Sequence, residues 1–182
     1  MPRSLRIERQ ERYSRWLPLL KWLIAIPHMV VMLFLGLVKG VLVIVSLLWI
    51  LVTGRYPRFL FGPVEGIQRF NLRLHAYLML TRDGYLPMSF RERDEYGVHY
   101  DIAEPGRIAR WRALVQPITV LPLAIVAQLF MSLAWVVSMF AGVAIIFTGR
   151  YPQGMFDMVE RALNWQVEAI NYGCCVTTRY PF

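Results

Sequence analysis

The chain has two cysteines, Cys174 and Cys175, and they are adjacent. Neighbouring cysteines do not form a framework disulfide within a helix, and no second pair exists to complete a zinc site. They read as two small apolar side chains near a helix end and say little about redox compartment. Lysine is equally scarce: of 20 basic residues, Lys21 and Lys39 are lysine and the rest are arginine. Charge is missing from whole stretches. Between residues 17 and 52 the only charged side chains are those two lysines, and residues 113–148 carry none. The histidines, His28, His75 and His99, stand alone, without the paired spacing of zinc ligands. There is no P-loop, no dinucleotide-binding glycine motif and no nucleophile elbow around a serine. The sequence therefore points to no metal, no cofactor and no catalytic residue.

What is present is apolar and arginine-rich. Hydrophobic residues make up 57% of the chain and charged residues 18%, with a mean hydropathy of +0.42. A soluble globular protein has nearer a quarter of its residues charged. The two charge-poor stretches are long enough to be membrane-embedded. The first follows Arg3, Arg6, Arg9, Arg12 and Arg15. It is far longer than the apolar segment of a signal peptide, and no small-residue cleavage site follows, so it is expected to stay as an anchor. The net charge of +8 is carried by arginines that flank the apolar runs. Anionic lipid headgroups suit such flanks better than nucleic acid, which needs an independent basic fold.

The chain also repeats itself. Thr53-Gly54-Arg55-Tyr56-Pro57 recurs as Thr148-Gly149-Arg150-Tyr151-Pro152, 95 residues later. The same offset, without a gap, matches Ile7 with Ile102, Arg12 with Arg107, and Arg15-Trp16 with Arg110-Trp111. It also matches Pro27 with Pro122, Phe61 with Phe156, Glu65 with Glu160, Tyr77 with Tyr172 and Tyr85 with Tyr180. This is a tandem duplication: repeat 1 spans residues 1–90, a polar linker 91–106, and repeat 2 residues 107–182.

Each repeat has the same parts. A polar arm comes first; residues 98–102 alternate apolar with polar, as a short strand would, and the counterpart before Arg12 is weaker. Next comes Arg-x-x-Arg-Trp, at residues 12–16 and 107–111, a pairing suited to a membrane interface. The apolar run that follows is expected to fold as a tight helical hairpin, kinked at Pro27 or Pro122. A hairpin lifts Lys39 to its tip beside Gly40 and leaves every arginine-rich segment on one side of the membrane. A shallow re-entrant hairpin or one long tilted helix is the alternative, since the run divided in two gives helices barely long enough to span.

The Thr-Gly-Arg-Tyr-Pro pentapeptide reads as an elbow. Gly54 and Gly149 end a helix in the left-handed conformation, Arg55, Tyr56, Arg150 and Tyr151 lie at headgroup level, and Pro57 and Pro152 open the next helix. A phosphate or lipid site built on Arg55 and Arg150 is the functional reading of the same residues. Residues 58–81 and about 154–175 then read as amphipathic helices in the interface plane. Glu65 is spaced to pair with Arg69, or Glu65 and Glu160 answer the elbow arginine of their own repeat. The fold class is thus an all-α integral membrane protein of two repeats.

These motifs resemble a family of bacterial membrane proteins, domain-of-unknown-function family 4389. The resemblance rests on Ile26-Pro27-His28, the elbow from Val52 to Pro57, Ala76-Tyr77, and the close from Tyr85 to Phe90. The second copy has Phe147 to Pro152 and Tyr180-Pro181-Phe182, with Leu123 in place of the histidine and a truncated ending. The resemblance implies membrane localisation in bacteria and little about activity.

The expected function is a non-enzymatic subunit or scaffold of the bacterial inner membrane, with cytoplasmic termini. It would contact anionic lipid through Arg12, Arg15, Trp16, Arg55, Tyr56, Arg58, Arg107, Arg110, Trp111, Arg150 and Tyr151, and would present helices to a membrane-protein partner or a second copy. Internal repeats are also common in transporters, so an oligomeric small transporter or channel is the alternative. A lipid-headgroup enzyme using Arg55, Arg150, Glu65, Glu160 and His28 or His75 is the third reading.

Overall fold

A computed structural model describes residues 5–84, 97–100, 102 and 105–177. The closing motifs, 85–90 and 179–182, and most of the 91–106 linker lie outside the described residues. In chain order the elements are β1 (Leu5–Ile7), α1 (Leu17–Thr53), α2 (Arg58–Leu78), β2 (Val98–Tyr100), α3 (Arg112–Thr148) and α4 (Gln153–Gly173). The boundaries of α3 and α4 fall 95 residues after those of α1 and α2 at both ends, so the duplication holds in structure.

The hairpin expectation is overturned. Each apolar run is one continuous helix of 37 residues, long and apolar enough to cross a membrane. Pro27 in α1, and Pro117 and Pro122 in α3, are taken up without ending the helix. A turn inside an apolar run would expose backbone groups with no partner, whereas an unbroken helix satisfies nearly all of them. Lys39 is consequently not at a tip. It is half-buried at mid-helix, and its ammonium donates to Oε1 of Gln68 on α2.

Each long helix ends where the sequence places its glycine. Gly54 has φ +69° and Gly149 φ +67°, and their N–H groups cap Ile50 and Ile145 at 2.7 and 2.8 Å. Glycine holds that conformation without the penalty other residues meet. The proline after each elbow is the N-cap of the next helix rather than its first residue. Then α2 folds back along α1, and α4 along α3, with His28 stacked near Phe70 and Phe130 near Trp165. The short helices end alike. Leu80 and Cys175, again 95 apart, take positive φ, and Thr81 N–H and Val176 N–H return to Ala76 and Asn171 carbonyls, each at 3.0 Å. The cysteines are free; Cys175 is buried and Cys174 half-buried, as small apolar groups at the end of α4.

The same stripe is buried on both long helices. Pro18, Lys21, His28, Ser46 and Ile50 on α1 correspond to Ala113, Gln116, Leu123, Ala141 and Ile145 on α3. Much of the remaining circumference is exposed, apolar on α1 from Leu19 to Val52 and, but for Gln128 and Ser132, apolar on α3 from Leu114 to Phe147. Lys21 explains one charge in the first run. Its ammonium donates to the Arg82 carbonyl at 2.6 Å and Asp83 at 2.7 Å, and it lies 5.1 Å from the centre of the Tyr77 ring. Gln116 does the same job in repeat 2, donating to the Thr177 carbonyl at 2.9 Å.

The halves are interleaved by their arms. β1 and β2 pair antiparallel, with Leu5 opposite Tyr100 and Ile7 opposite Val98. The strand of one half packs on the short helix of the other, β1 on α4 and β2 on α2. Leu5, Tyr100, Phe70, Met131 and Val167 belong to the one large core cluster.

Candidate anion-binding elbows

Each elbow is built by its own five residues and closed by the other repeat. Thr53 Oγ1 donates to the Trp49 carbonyl at 2.8 Å and accepts the Arg55 N–H at 3.3 Å; Thr148 does the same with Ala144 and Arg150 at 2.7 and 3.2 Å. The threonine thus locks the turn that throws the arginine outward. The glycine carbonyl accepts from the opposite arm: Ile108 N–H donates to Gly54 at 3.0 Å, and Tyr13 N–H donates to Gly149 at 3.0 Å. These two bonds are the same contact made twice. They bring Arg107 and Arg110 to the first elbow, where Arg55 and Arg107 form a backbone bridge. They bring Arg15 to the second, close beside Gly149, with Arg12 next to the bonded Tyr13.

At the first elbow the result is an open groove of about 990 Å³. Arg55, Arg58 and Arg107 line it, with Trp49 and Phe59 packed edge to face at 5.9 Å. Its described lining residues offer cationic charge and apolar surface, with no carboxylate, histidine or cysteine among them. Guanidinium groups make forked hydrogen bonds to phosphate or carboxylate. The second elbow differs. Its cavity is about 350 Å³ and is lined by Arg9, Gln10, Glu11 and Arg150, with Arg9 donating to the Tyr151 carbonyl at 2.7 Å. The counterparts of Trp49, Arg58 and Phe59 are Ala144, Gln153 and Gly154. The duplicated motif therefore carries an unequal pair of basic sites, and among the described lining residues a carboxylate, Glu11, stands at the second alone.

Two expectations need correction. The Tyr56 and Tyr151 rings do not face outward but are buried, each packed edge to face on the phenylalanine five residues on, Phe61 at 6.1 Å and Phe156 at 5.7 Å. The proline that follows turns the chain back onto the core, and the ring goes with it. Burial raises both phenol pKa values, that of Tyr151 to about 12. Nor do Glu65 and Glu160 answer the elbow arginines. Glu65 holds Arg69 at 2.7 Å, and Arg69 Nε donates to the Tyr100 carbonyl at 3.2 Å. Glu160 Oε1 accepts the Ile7 N–H at 3.3 Å. Both acids anchor strands, each belonging to the opposite half. Trp16 and Trp111 are exposed at the starts of α1 and α3, where an interface residue would be. Pro57 and Pro152 fix the exit angle of the elbows.

The polar core was not legible beforehand. Tyr100 donates to Asn171 Oδ1 at 2.7 Å, beside Lys39, Gln68 and Cys174, around a space of about 10 Å³. Burial raises the Tyr100 phenol and the Cys174 thiol and lowers His75 on α2. Among the described residues no cluster of three His, Cys, Asp or Glu could hold a metal ion.

A family model described as Domain of unknown function (DUF4389) matches residues 16–90 and again residues 110–182. The chain belongs to this family. The two matched segments of this DUF4389 protein are its two repeats, so the duplication is a doubling of the family's domain. No curated protein and no solved structure matches the chain.

Proposed function

We propose that this DUF4389 protein is a non-enzymatic subunit or scaffold of a bacterial cytoplasmic membrane, holding anionic lipid at its basic elbows and offering its helices to a membrane partner or a second copy. The observation that carries the reading is the first elbow groove, where Arg55, Arg58 and Arg107 surround an apolar floor of Trp49 and Phe59. Neither the Arg55 nor the Arg107 guanidinium has an acidic partner among the described residues. Both elbows lie at the ends of long helices whose exposed faces are apolar. Such a groove fits a phosphodiester headgroup on the arginines with glycerol and acyl carbons on the rings.

Native mass spectrometry from mild detergent tests this. The wild type should retain phosphatidylglycerol in preference to phosphatidylcholine, and Arg55→Ala/Arg107→Ala should lose most of that preference. Arg150→Ala should change it less, because Glu11 already offsets the second elbow. Equal retention in all three proteins would leave the elbows as structural joints only.

A further inference from the structure

We infer that α1 and α3 do not cross the membrane: they lie side by side within one leaflet, with their exposed faces among its acyl chains. The arms, the sheet, α2 and α4 then stay on the water side. The inference rests on the membrane reading above and goes beyond it by fixing how the protein sits.

The direction of the helices comes first. The end of α1 at Gly54 is bonded to Ile108, four residues before α3 begins, and the end of α3 at Gly149 is bonded to Tyr13, four residues before α1 begins. Trp22 near the start of α1 meets Trp135 well along α3, at 5.4 Å between rings. The two helices are therefore antiparallel, and a local twofold relates the halves. That twofold passes between Leu5 and Tyr100, which are the same position of the two repeats and face each other in the sheet.

Consider what spanning would require. Each helix has a contour of about 55 Å, at about 1.5 Å per residue. Fitting that into a hydrocarbon core of about 30 Å needs a tilt near 57°, beyond the usual range of about 0–40°. The two elbows would emerge on opposite sides, with Arg55, Arg58, Arg107 and Arg110 on one and Arg12, Arg15 and Arg150 on the other, against the one-sided distribution such charges follow. The twofold axis would lie at the bilayer midplane. The sheet on that axis, with exposed Arg6, Glu8 and Arg9 beside it, would sit at hydrocarbon depth.

Lying in plane removes all three conflicts. Both arginine clusters reach the same headgroup layer, and exposed Trp16 and Trp111 lie at its edge. The polar side chains of the long helices also face one way. Lys21, His28, Lys39 and Ser46 on α1, and Gln116 and Ser138 on α3, lie on the side packed against the rest of the protein. The outer arc of α1 from Leu19 to Val52 has no exposed polar side chain. Between Leu114 and Phe147 on α3, Gln128 and Ser132 are the exposed polar side chains, and the Ser132 hydroxyl is returned to the Gln128 carbonyl at 3.0 Å.

Spin labels at Leu23→Cys, Val30→Cys, Leu37→Cys and Ile44→Cys, one at a time in a Cys174→Ala/Cys175→Ala background, test the arrangement. All four sites are exposed on α1 and drift by only about 20° per heptad, so they sample one face. The proteins are reconstituted in phosphatidylcholine–phosphatidylglycerol vesicles, and collision with oxygen is compared with collision with a water-soluble nickel chelate. Four similar depths, all within the hydrocarbon, are expected. A profile deepest at the two middle sites and shallow at both ends would overturn the inference and establish crossing. Spin–spin broadening with little oxygen access would also overturn it, by showing that a second copy covers the face. Free access of the chelate at all four sites would overturn the inference and the membrane reading together. Lipid retention at the elbows is read separately, so the two proposals fail by different results.

Discussion

Leu5 and Tyr100 face each other across the two-stranded sheet and occupy the same position in the two repeats. A residue that pairs with its own duplicate marks a twofold axis. Several contacts that cross between the halves obey it: Gly54 with Ile108 and Gly149 with Tyr13, Glu65 through Arg69 on β2 and Glu160 on β1. The duplication therefore produced one body that neither repeat builds alone, because each elbow lacks its closing strand until the other repeat supplies it.

The buried Lys21 is a hydrogen-bond donor for the end of α2, and repeat 2 performs that task with Gln116. Lys21→Gln should thus be tolerated, costing about 1 kcal/mol, since the Arg82 carbonyl keeps a donor and Asp83 keeps the Ser14 N–H at 2.6 Å. Lys21→Met should cost about 3 kcal/mol, because it leaves the Arg82 carbonyl without its buried donor and takes the counter-charge from the Asp83 carboxylate. Thermal unfolding in detergent should rank the two in that order.

Three glycines should respond differently to alanine. At Gly54 and Gly149 a methyl group meets nothing nearer than 3.6 Å, so the cost is the left-handed backbone alone, roughly 1 kcal/mol each. At Gly142 the methyl would approach Leu80 Cδ1 to 2.9 Å, so the cost there is a clash. Leu80→Ala should rescue Gly142→Ala and leave Gly54→Ala unchanged. Melting temperatures of the single and double variants check this; equal effects of Leu80→Ala on both would contradict it.

Glu65 should couple to Arg69 and not to Arg55. A double-mutant cycle on Glu65→Ala and Arg69→Ala should give about 1 kcal/mol of interaction, since the pair is partly buried and also holds β2. The cycle with Arg55→Ala should give a value indistinguishable from zero.

Alkaline pH should loosen the elbows. Burial holds the Tyr151 phenol at about 12, above its ordinary 10.0, and raises Tyr13 and Tyr56 in the same direction. A pKa raised on folding contributes stability that is fully present below the unfolded value and is lost as pH rises through the folded one. Stability should fall between pH 10 and about 12, by on the order of 2 kcal/mol for Tyr151. Tyr151→Phe should flatten that part of the curve. The comparison is melting temperature against pH for the two proteins.

The sequence by itself determined the local structure. The 95-residue offset, the glycines that end α1 and α3, the amphipathic pattern of α2 and α4, and a strand near residues 98–102 were all readable. Each depends on backbone conformation or on periodicity within a few turns, and a linear chain records both. Tertiary structure decided the rest. Whether a charge-poor run bends at its middle depends on what receives Lys39, and that receiver, Gln68, lies on another helix. Whether Glu65 serves the elbow or the sheet depends on which is nearer in space. The exchange of arms could not be read at all: both repeats carry the same arm and the same elbow, so own and opposite partners look alike in sequence. The length of the helix separates them. An unbroken helix of 37 residues, about 55 Å along its contour, keeps each arm far from its own elbow and places it beside the other.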